Sequence, residues 1–283
     1  MINSDDNRIL TTKDYWARYY VAKDISEETH ISQLPQKDQP SFLRRYTQNY
    51  GHYLWEIFYD KYFSIDETKS IVEIGSAPGT NAVRFYKKFN YKTYGIEYTD
   101  DGVGLNRALF KKNGIPEENV IHADFLDTDF QTAYKNTFDM VVSFGFLEHF
   151  MNPKKVVECH INILKPGGML LISIPNFRYL NFSLKSFFGT EFIKTHNLSL
   201  MDYDTFKNCF LFDNFEIFEC RYFGGFQFPQ PSYTKPWKRI IERIMGKLQL
   251  IVNVFFRTLF KNKGWESRYF SSCLVCIGRK TPN

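Results

Sequence analysis

Residues 71–80 read IVEIGSAPGT, and this stretch decides the predicted fold. A short apolar run rich in β-branched residues leads into Gly75, Ala77, Pro78 and Gly79, and a segment that can form a helix, 81–89, follows. Small residues let the backbone turn sharply and approach a ligand closely, and the helix after them directs its N-terminal amides at the turn. Strand, glycine turn and helix in this order are typical of nucleotide binding at the carboxyl edge of a parallel sheet, although many such turns hold no ligand.

Strand and helix patterns alternate downstream of this turn. Apolar runs predict strands at 93–97, 120–123, 138–144 and 169–174, with helices at 103–113 and 153–164. Two later segments, 215–223 and 271–279, alternate like strands, whereas 176–197 has no clear period. The order predicts an α/β fold with a doubly wound, mostly parallel sheet and right-handed crossovers.

Composition narrows the class of protein. The 283 residues include 29 Phe and 18 Tyr, which favours apolar clefts over disorder. The formal charge of +5 is concentrated in 235–280, where 11 Lys or Arg face Glu242 and Glu266. Five scattered Cys, with no pattern of a secretion signal at the N-terminus, predict a protein of the reducing cytoplasm. Cys273 and Cys276 form an isolated CxxC with no partner set, so no metal site is predicted.

Two carboxylates end successive predicted strands. Glu97 comes 22 positions after Gly75, where it can accept both hydroxyls of a ribose, and Asp124 can accept from an exocyclic amine such as that of adenine. For either residue alone, a solvated strand end is an equally good interpretation. The turn lacks the G-x-G-x-x-G pattern of dinucleotide enzymes, and no GxxxxGK[ST] motif is present.

The ordered set EIGSAPG, Glu97, Asp124-Phe125, FDMVVSF…LEHF and LKPGGMLLISIPN resembles the class I S-adenosylmethionine-dependent methyltransferases over residues 68–176. The following stretch, IPNFRYL…HNLSLMDYDTF, is similar to bacterial small-molecule and glycan O-methyltransferases. The resemblance implies S-adenosyl-L-methionine as the cofactor. The positions that it assigns to cofactor binding are Glu73, Gly75, Ala77, Gly79, Glu97, Asp124, Phe125, Ser143 and Phe144.

The same resemblance implies a seven-stranded sheet with an antiparallel last strand, a role that 271–279 fits. It divides the chain into an N-terminal helical and aromatic layer or lid (1–64), a cofactor-binding core (65–176) and an acceptor-side segment with the sixth strand (177–223). A basic helical insertion (224–267) and the seventh strand with its tail (268–283) complete the chain.

The acceptor is predicted by exclusion. The segment after the fourth strand reads SFGFLEHF, which lacks the Asn/Asp-Pro-Pro-aromatic clamp of nucleic-acid amino-methyltransferases and the Cys of cytosine-C5 enzymes. An alcohol acceptor needs a base, and His149 and His196 are the candidates, although a structural role is open for each. We therefore expect a small-molecule or glycan-type acceptor, methylated at oxygen. The alternatives are an N- or C-methyltransferase acting on a lipid or quinone-like acceptor, or a catalytically silent module of this fold.

Residues 237–259 predict a long helix with apolar positions along one side and Lys or Arg off that side. The apolar side fits packing on the parent domain, and it also fits an anionic membrane surface at the inner face of a membrane. Nucleic acid is the weakest candidate partner, since charge alone supports it.

Overall fold

The computed structural model describes residues 9–22, 50–228, 236–259 and 266–282. Seven strands form one sheet: β1 (Ser70–Ile74), β2 (Lys92–Glu97), β3 (Val120–His122), β4 (Phe138–Phe144), β5 (Leu164–Pro175), β6 (Phe215–Phe223) and β7 (Cys273–Lys280). Their order in the sheet is β3-β2-β1-β4-β5-β7-β6. Strand β1 pairs in parallel with β2 and β4, whereas β7 is antiparallel to both β5 and β6. The predicted doubly wound sheet and its antiparallel last strand are therefore confirmed.

Ten α-helices lie in the described ranges: α1 (Lys13–Ala22), α2 (Tyr50–Tyr62), α3 (Thr80–Phe89), α4 (Asp100–Lys112), α5 (Thr128–Ala133), α6 (Pro153–Ile163), α7 (Tyr179–Phe188), α8 (Glu191–Thr195), α9 (Tyr203–Asn208) and α10 (Pro236–Leu259). Short 3₁₀ turns occur at Glu117–Asn119, Leu147–His149 and Leu198–Met201. Of the predicted N-terminal helical and aromatic layer (1–64), residues 9–22 and 50–64 are described, and the rest lies outside the described residues.

Side-chain caps explain where several helices begin. Thr99 accepts a hydrogen bond from the Gly102 amide at the start of α4, and Asp127 accepts two at the start of α5. Asn152 caps α6 and is followed by Pro153, whose missing N–H costs nothing in the first turn. These residues fix the crossovers that bring the strand ends together.

The core has an apolar layer on each face of the sheet. On one face, buried residues such as Val156, Phe206 and Phe210 pack against Val141 and Ile172. On the other face, α2 and α3 contribute Phe58 and Phe85, which pack with Ile71, Val142 and Val275. Both faces of the central strands are covered, as their almost unbroken apolar runs require.

The segment 176–197 is helical where the sequence showed no period. Its helices α7 and α8 mix aromatic and polar residues, and their apolar side chains gather around Phe192, which contacts Phe177 and Phe182. Tertiary packing of these rings, and not an amphipathic repeat, stabilises the two helices.

Helix α10 does not pack on the domain through its predicted apolar side alone. Phe256 stacks on Tyr50 at 5.7 Å between ring centroids, and Val252 packs beside it. Asn253 and Arg257, predicted to lie off the apolar side, are buried, with the Arg257 guanidinium 3.7 Å from the centre of the Tyr53 ring. Large apolar side chains instead point to solvent at Ile244, Leu248, Ile251, Phe255 and Leu259. None of the described helices combines the length and apolarity needed to cross a membrane.

Candidate active site

A cleft of about 950 Å³ opens at the carboxyl ends of β1, β2 and β4. In a doubly wound sheet this edge is where ligands bind, because the strands diverge there around the reversal of strand order. Of the predicted site residues, Gly75, Ala77, Glu97, Asp124, Phe125, Phe144, His149 and His196 line the cleft, whereas Glu73, Gly79 and Ser143 do not.

The turn after β1 requires its glycines. Gly75 has a φ of +62°, and a Cβ there would lie 2.8 Å from the Phe146 ring. Gly79 has a φ of +99° as the N-cap of α3, and a Cβ there would collide with Asn106. The backbone of the turn can therefore approach a ligand with no side chain in between.

Glu73 lies beneath this turn. It is buried, and its carboxylate accepts hydrogen bonds from Asn81 Nδ2 at 3.0 Å and from the Ala82 amide at 2.8 Å. Burial raises the pKa of Glu73 to about 7, although these two donors lower it. The side chain thus ties the start of α3 to β1, and in this structure it supports the turn from below.

Glu97 ends β2 with its carboxylate at the cleft. All three hydrogen bonds that the described residues give it end on Oε1: from the Tyr98 amide at 3.0 Å, the Thr99 amide at 2.9 Å and Thr99 Oγ1 at 2.7 Å. The residue is only 3% exposed. These bonds fix its rotamer and leave Oε2 for hydroxyl donors of a ligand.

Asp124 and Phe125 form the turn after β3. Asp124 is exposed, and its Oδ1 accepts the Leu126 amide at 2.9 Å, which sets the backbone of the turn. The Phe125 ring packs in the core at 4.6 Å from the His160 ring. Asp124 therefore offers a free carboxylate oxygen to the cleft, beside a rigid apolar turn.

Ser143 and Phe144 end β4. Ser143 is fully buried, and its hydroxyl finds no hydrogen-bond partner among the described residues. Phe144 reaches the cleft, where its ring meets Trp55 edge-on at 5.7 Å. Of this pair, only Phe144 touches the space where a ligand would sit.

The two candidate bases lie side by side. The rings of His149 and His196 are 4.6 Å apart. Nδ1 of His149 is 2.7 Å from the Thr195 carbonyl oxygen, and Nδ1 of His196 is 3.0 Å from that of Phe192. Burial lowers the pKa of His149, against the Thr195 and Gly145 carbonyls, which raise it. Burial and the neighbouring His149 lower the pKa of His196 to about 3, so both rings are neutral at physiological pH.

Sequence reasoning missed Glu148 and most of the aromatic wall. Glu148 is 1% exposed, lines the cleft and has a pKa raised by burial to about 8. The wall comes from α1 and α2, and its residues at the cleft are Tyr15, Trp16, Tyr19, Tyr20, His52, Trp55 and Tyr59. Their aromatic clustering was visible in the sequence, but the direction in which the rings point was not.

These residues fit S-adenosylmethionine. Glu97 has an oxygen that can accept from a ribose, Asp124 has one that can accept from an amine, and the glycine turn leaves room for the amino-acid end of a ligand. The aromatic wall lines the same cleft, with Tyr20 near Glu97 and Trp16 packed against His149. We refer to the side lined by Glu97 and Asp124 as the cofactor half and to the side lined by His149 and His196 as the acceptor half.

Comparison with known proteins agrees with this fit. Over 139 residues the chain is 29% identical to the ubiquinone/menaquinone biosynthesis C-methyltransferase UbiE of Wigglesworthia glossinidia brevipalpis, covering 46% of this chain and 53% of that protein. Over 135 residues it is 24% identical to the mitochondrial ubiquinone biosynthesis O-methyltransferase of Dictyostelium discoideum, covering 45% and 41%. The chain thus spans about half the length of the curated relatives it matches.

Among solved structures, the [4+2]-cyclase SpnF superposes with a TM-score of 0.56 at 12% identity, covering 98% of this chain and 99% of that one. At this identity the likeness shows the fold alone. A family model described as a methyltransferase domain matches residues 40–219, which is more than half of the chain. The cofactor of this family is S-adenosylmethionine. The chain belongs to the methyltransferase domain family.

Proposed function

We propose that this protein is an S-adenosylmethionine-dependent methyltransferase that methylates an oxygen of a small, flat, largely apolar acceptor. The observation that carries this proposal is the pair of neutral imidazoles, His149 and His196, at the acceptor half of the cleft. S-adenosylmethionine supplies an electrophilic methyl group when bound. A neutral imidazole beside it can take the proton that a hydroxyl loses as its oxygen is methylated.

The wall opposite the cofactor half supports an apolar acceptor. Trp16 meets the His149 ring edge-on at 5.1 Å, and Phe177 meets the His196 ring at the same distance. An aromatic surface of this kind favours a flat, apolar acceptor that can pack against it.

The alternative is methylation at carbon or nitrogen of a quinone-like or lipid acceptor. The similarity to UbiE, a C-methyltransferase by its name, favours this alternative, whereas the Dictyostelium relative is named as an O-methyltransferase. Both relatives act in ubiquinone biosynthesis by name, which agrees with an apolar ring as the acceptor. The two alternatives differ in the atom that receives the methyl group.

The test is a transfer assay with methyl-labelled S-adenosylmethionine and two panels of acceptors, phenols with apolar tails and simple glycans. We expect label in the phenols at oxygen, and a loss of about 10²–10⁴ in turnover in both His149→Ala and His196→Ala with cofactor affinity unchanged. Cofactor binding with label only at carbon would favour the alternative. Cofactor binding with no transfer to any acceptor would support the silent module.

We also propose that the exposed apolar stripe of α10, formed by Ile244, Leu248, Ile251, Phe255 and Leu259, lies on an anionic membrane surface. Five large side chains along one line of a helix make an exposed patch that is unusual for a protein surface. The exposed Lys247 lies next to this stripe, in a region of the sequence rich in Lys and Arg. Apolar residues flanked by basic ones are typical of helices that lie in an anionic lipid interface.

A further inference from the structure

Glu148, His149 and His196 form a compact cluster at the acceptor half of the cleft. One donor atom from each residue lies within 4.8 Å of those from the other two. All three side chains line the cleft, and Glu148 and His149 are almost fully buried. A carboxylate and two imidazoles at such separations can reach a common ion with small side-chain movements.

The hydrogen bonds of the two rings orient them as ligands. A carbonyl oxygen can only accept, so Nδ1 of His149 donates to Thr195 and Nδ1 of His196 donates to Phe192. In a neutral ring the lone pair then resides on Nε2. Metal-bound histidines have this arrangement in most proteins, with the second ring nitrogen donating to a backbone carbonyl or a carboxylate.

Glu148 has an unused oxygen. Its Oε2 is buried and has no hydrogen-bond partner among the described residues, while Oε1 lies 3.8 Å from Nε2 of His149. Buried carboxylate oxygens are almost always paired, so an unpaired one beside two imidazoles needs an explanation. A bound cation would supply the missing partner.

The surroundings hold the cluster in place. Trp16 packs edge-on against His149 and Phe177 against His196, so neither ring can rotate freely. The Asn197 amide donates to the Glu148 carbonyl at 2.7 Å, which ties the segment after α8 to the turn that carries Glu148 and His149. Residues far apart in the sequence are thus fixed against one another by the backbone.

We propose that Glu148, His149 and His196 form a binding site for one divalent transition-metal ion of the zinc type. Two imidazoles and one carboxylate suit Zn²⁺, Fe²⁺ or Co²⁺, whereas Mg²⁺ and Ca²⁺ prefer sites built from oxygen ligands alone. Three protein ligands leave coordination positions open toward the cleft. There the metal would bind an acceptor oxygen and lower the pKa of its hydroxyl, with the proton passing to solvent water. In the metal-bound state this takes the place of the imidazole base, because both Nε2 lone pairs are then bound to the metal. Only this last role rests on the proposed methyl transfer, since metal binding itself does not depend on it.

The experiment uses the full chain without a histidine tag, stripped of metal, with Co²⁺ as the probe. We expect visible absorption that saturates at one Co²⁺ per chain and disappears when Zn²⁺ is added. His149→Ala and His196→Ala should weaken Co²⁺ binding by at least about tenfold, as should the nearly isosteric Glu148→Gln. The exposed His122 is the matched control, and His122→Ala should bind Co²⁺ like the wild type.

Binding of S-adenosylmethionine is measured in the same preparations. A variant that keeps its cofactor affinity is folded, so its loss of Co²⁺ binding reports on the cluster. Wild-type protein that binds the cofactor but takes up neither Co²⁺ nor Zn²⁺ would overturn the metal site. Co²⁺ binding that all three cluster variants retain would also overturn it. Absence of methyl transfer with Co²⁺ binding intact would count against the proposed function and leave the metal site standing.

Discussion

We infer that Glu97 is both a structural and a binding group. Its Oε1 holds the Tyr98 and Thr99 amides, while the cleft receives the rest of the carboxylate. The hydrogen bonds to Oε1 orient the side chain before any ligand arrives. Cofactor affinity should therefore depend on this residue strongly.

We expect Glu97→Ala to weaken S-adenosylmethionine binding by about 1.5–3 kcal/mol, the range for hydrogen bonds to a charged group. Isothermal titration calorimetry measures the affinity, and Glu118→Ala, at an exposed site outside the cleft, is the control. Equal affinities for wild type and Glu97→Ala, with both folded, would show that the ribose binds elsewhere.

For individual residues, the sequence predicted the positions of the strand ends well, but it predicted the roles of the side chains less well. Glu97 and Asp124 lie at the cleft because the end of a strand fixes their position. Glu73 and Ser143 stand inside strands, and the alternation of faces directs them away from the cleft and into the interior. Glu148 could not be found in this way, since the role that we propose for it depends on His196 from a distant segment.

Among the helices and strands, α10 shows what a periodic apolar pattern can and cannot predict. Its bounds, Pro236–Leu259, agree with the predicted helix because the helical period of its apolar residues is regular. The period did not show which side faces the protein. The side of α10 that faces the domain makes hydrogen bonds as well as aromatic contacts. Gln249 accepts from the Phe228 amide and donates to the Phe226 carbonyl. Polar residues of α10 are therefore buried, and part of its apolar surface remains outside.

If the outward stripe binds lipid, Ile251→Asp with Phe255→Asp should abolish binding to anionic vesicles, because two carboxylates would enter the apolar layer. Co-sedimentation with anionic and neutral vesicles at low and high salt measures the effect. We expect wild-type binding to need anionic lipid and to weaken with salt, as each basic residue near the surface contributes about 1 kcal/mol.

Ile65→Asp is the matched control, since Ile65 is an exposed large apolar residue that lies outside α10. It should lower vesicle binding little. Wild-type protein that stays in the supernatant with anionic vesicles would contradict the membrane surface, and the stripe would then need a protein partner.

For the whole molecule, stability should depend on pH through Glu73. Burial raises its pKa from 4.5 to about 7, so the folded state holds the proton more tightly than the unfolded state. The stability from this group is complete below pH 4.5 and is lost as the pH rises through about 7. His160 acts in the opposite direction: burial lowers its pKa to about 4, so its contribution is lost as the pH falls below 6.5.

Glu73→Gln removes only the first of these effects. Relative to wild type, this variant should be more stable at pH 8 than at pH 5: the difference in free energy of unfolding, variant minus wild type, should be larger at pH 8 by about 2–3 kcal/mol, at 1.36 kcal/mol per pKa unit. Urea unfolding at the two pH values measures this difference, with the exposed Glu118→Gln as control. A difference between variant and wild type that does not change with pH would show that Glu73 ionises in the fold as it does in the unfolded chain.

The strands of the sheet could be predicted from the sequence because short apolar runs and glycine turns are local signals, whereas the antiparallel last strand was implied by the resemblance to a family. The acceptor half could not, since it is assembled from α1, α2, the turn after β4 and the α7–α8 segment, which meet only in the folded chain. Aromatic rings such as Trp16 and Trp55 have no periodic signature that tells a cleft wall from a core. Contacts between distant segments decide that difference.

The division of the cleft has a consequence for how such a protein changes over generations. The cleft residues that we assign to the cofactor come from one stretch, 75–144, whereas α1, α2 and the α7–α8 segment line the cleft from outside that stretch. Substitutions, insertions or recombination in those peripheral segments can alter what is methylated while leaving the source of the methyl group untouched. Copies of the gene can therefore diverge toward new acceptors one peripheral segment at a time, each step starting from an enzyme whose cofactor half is already in working order.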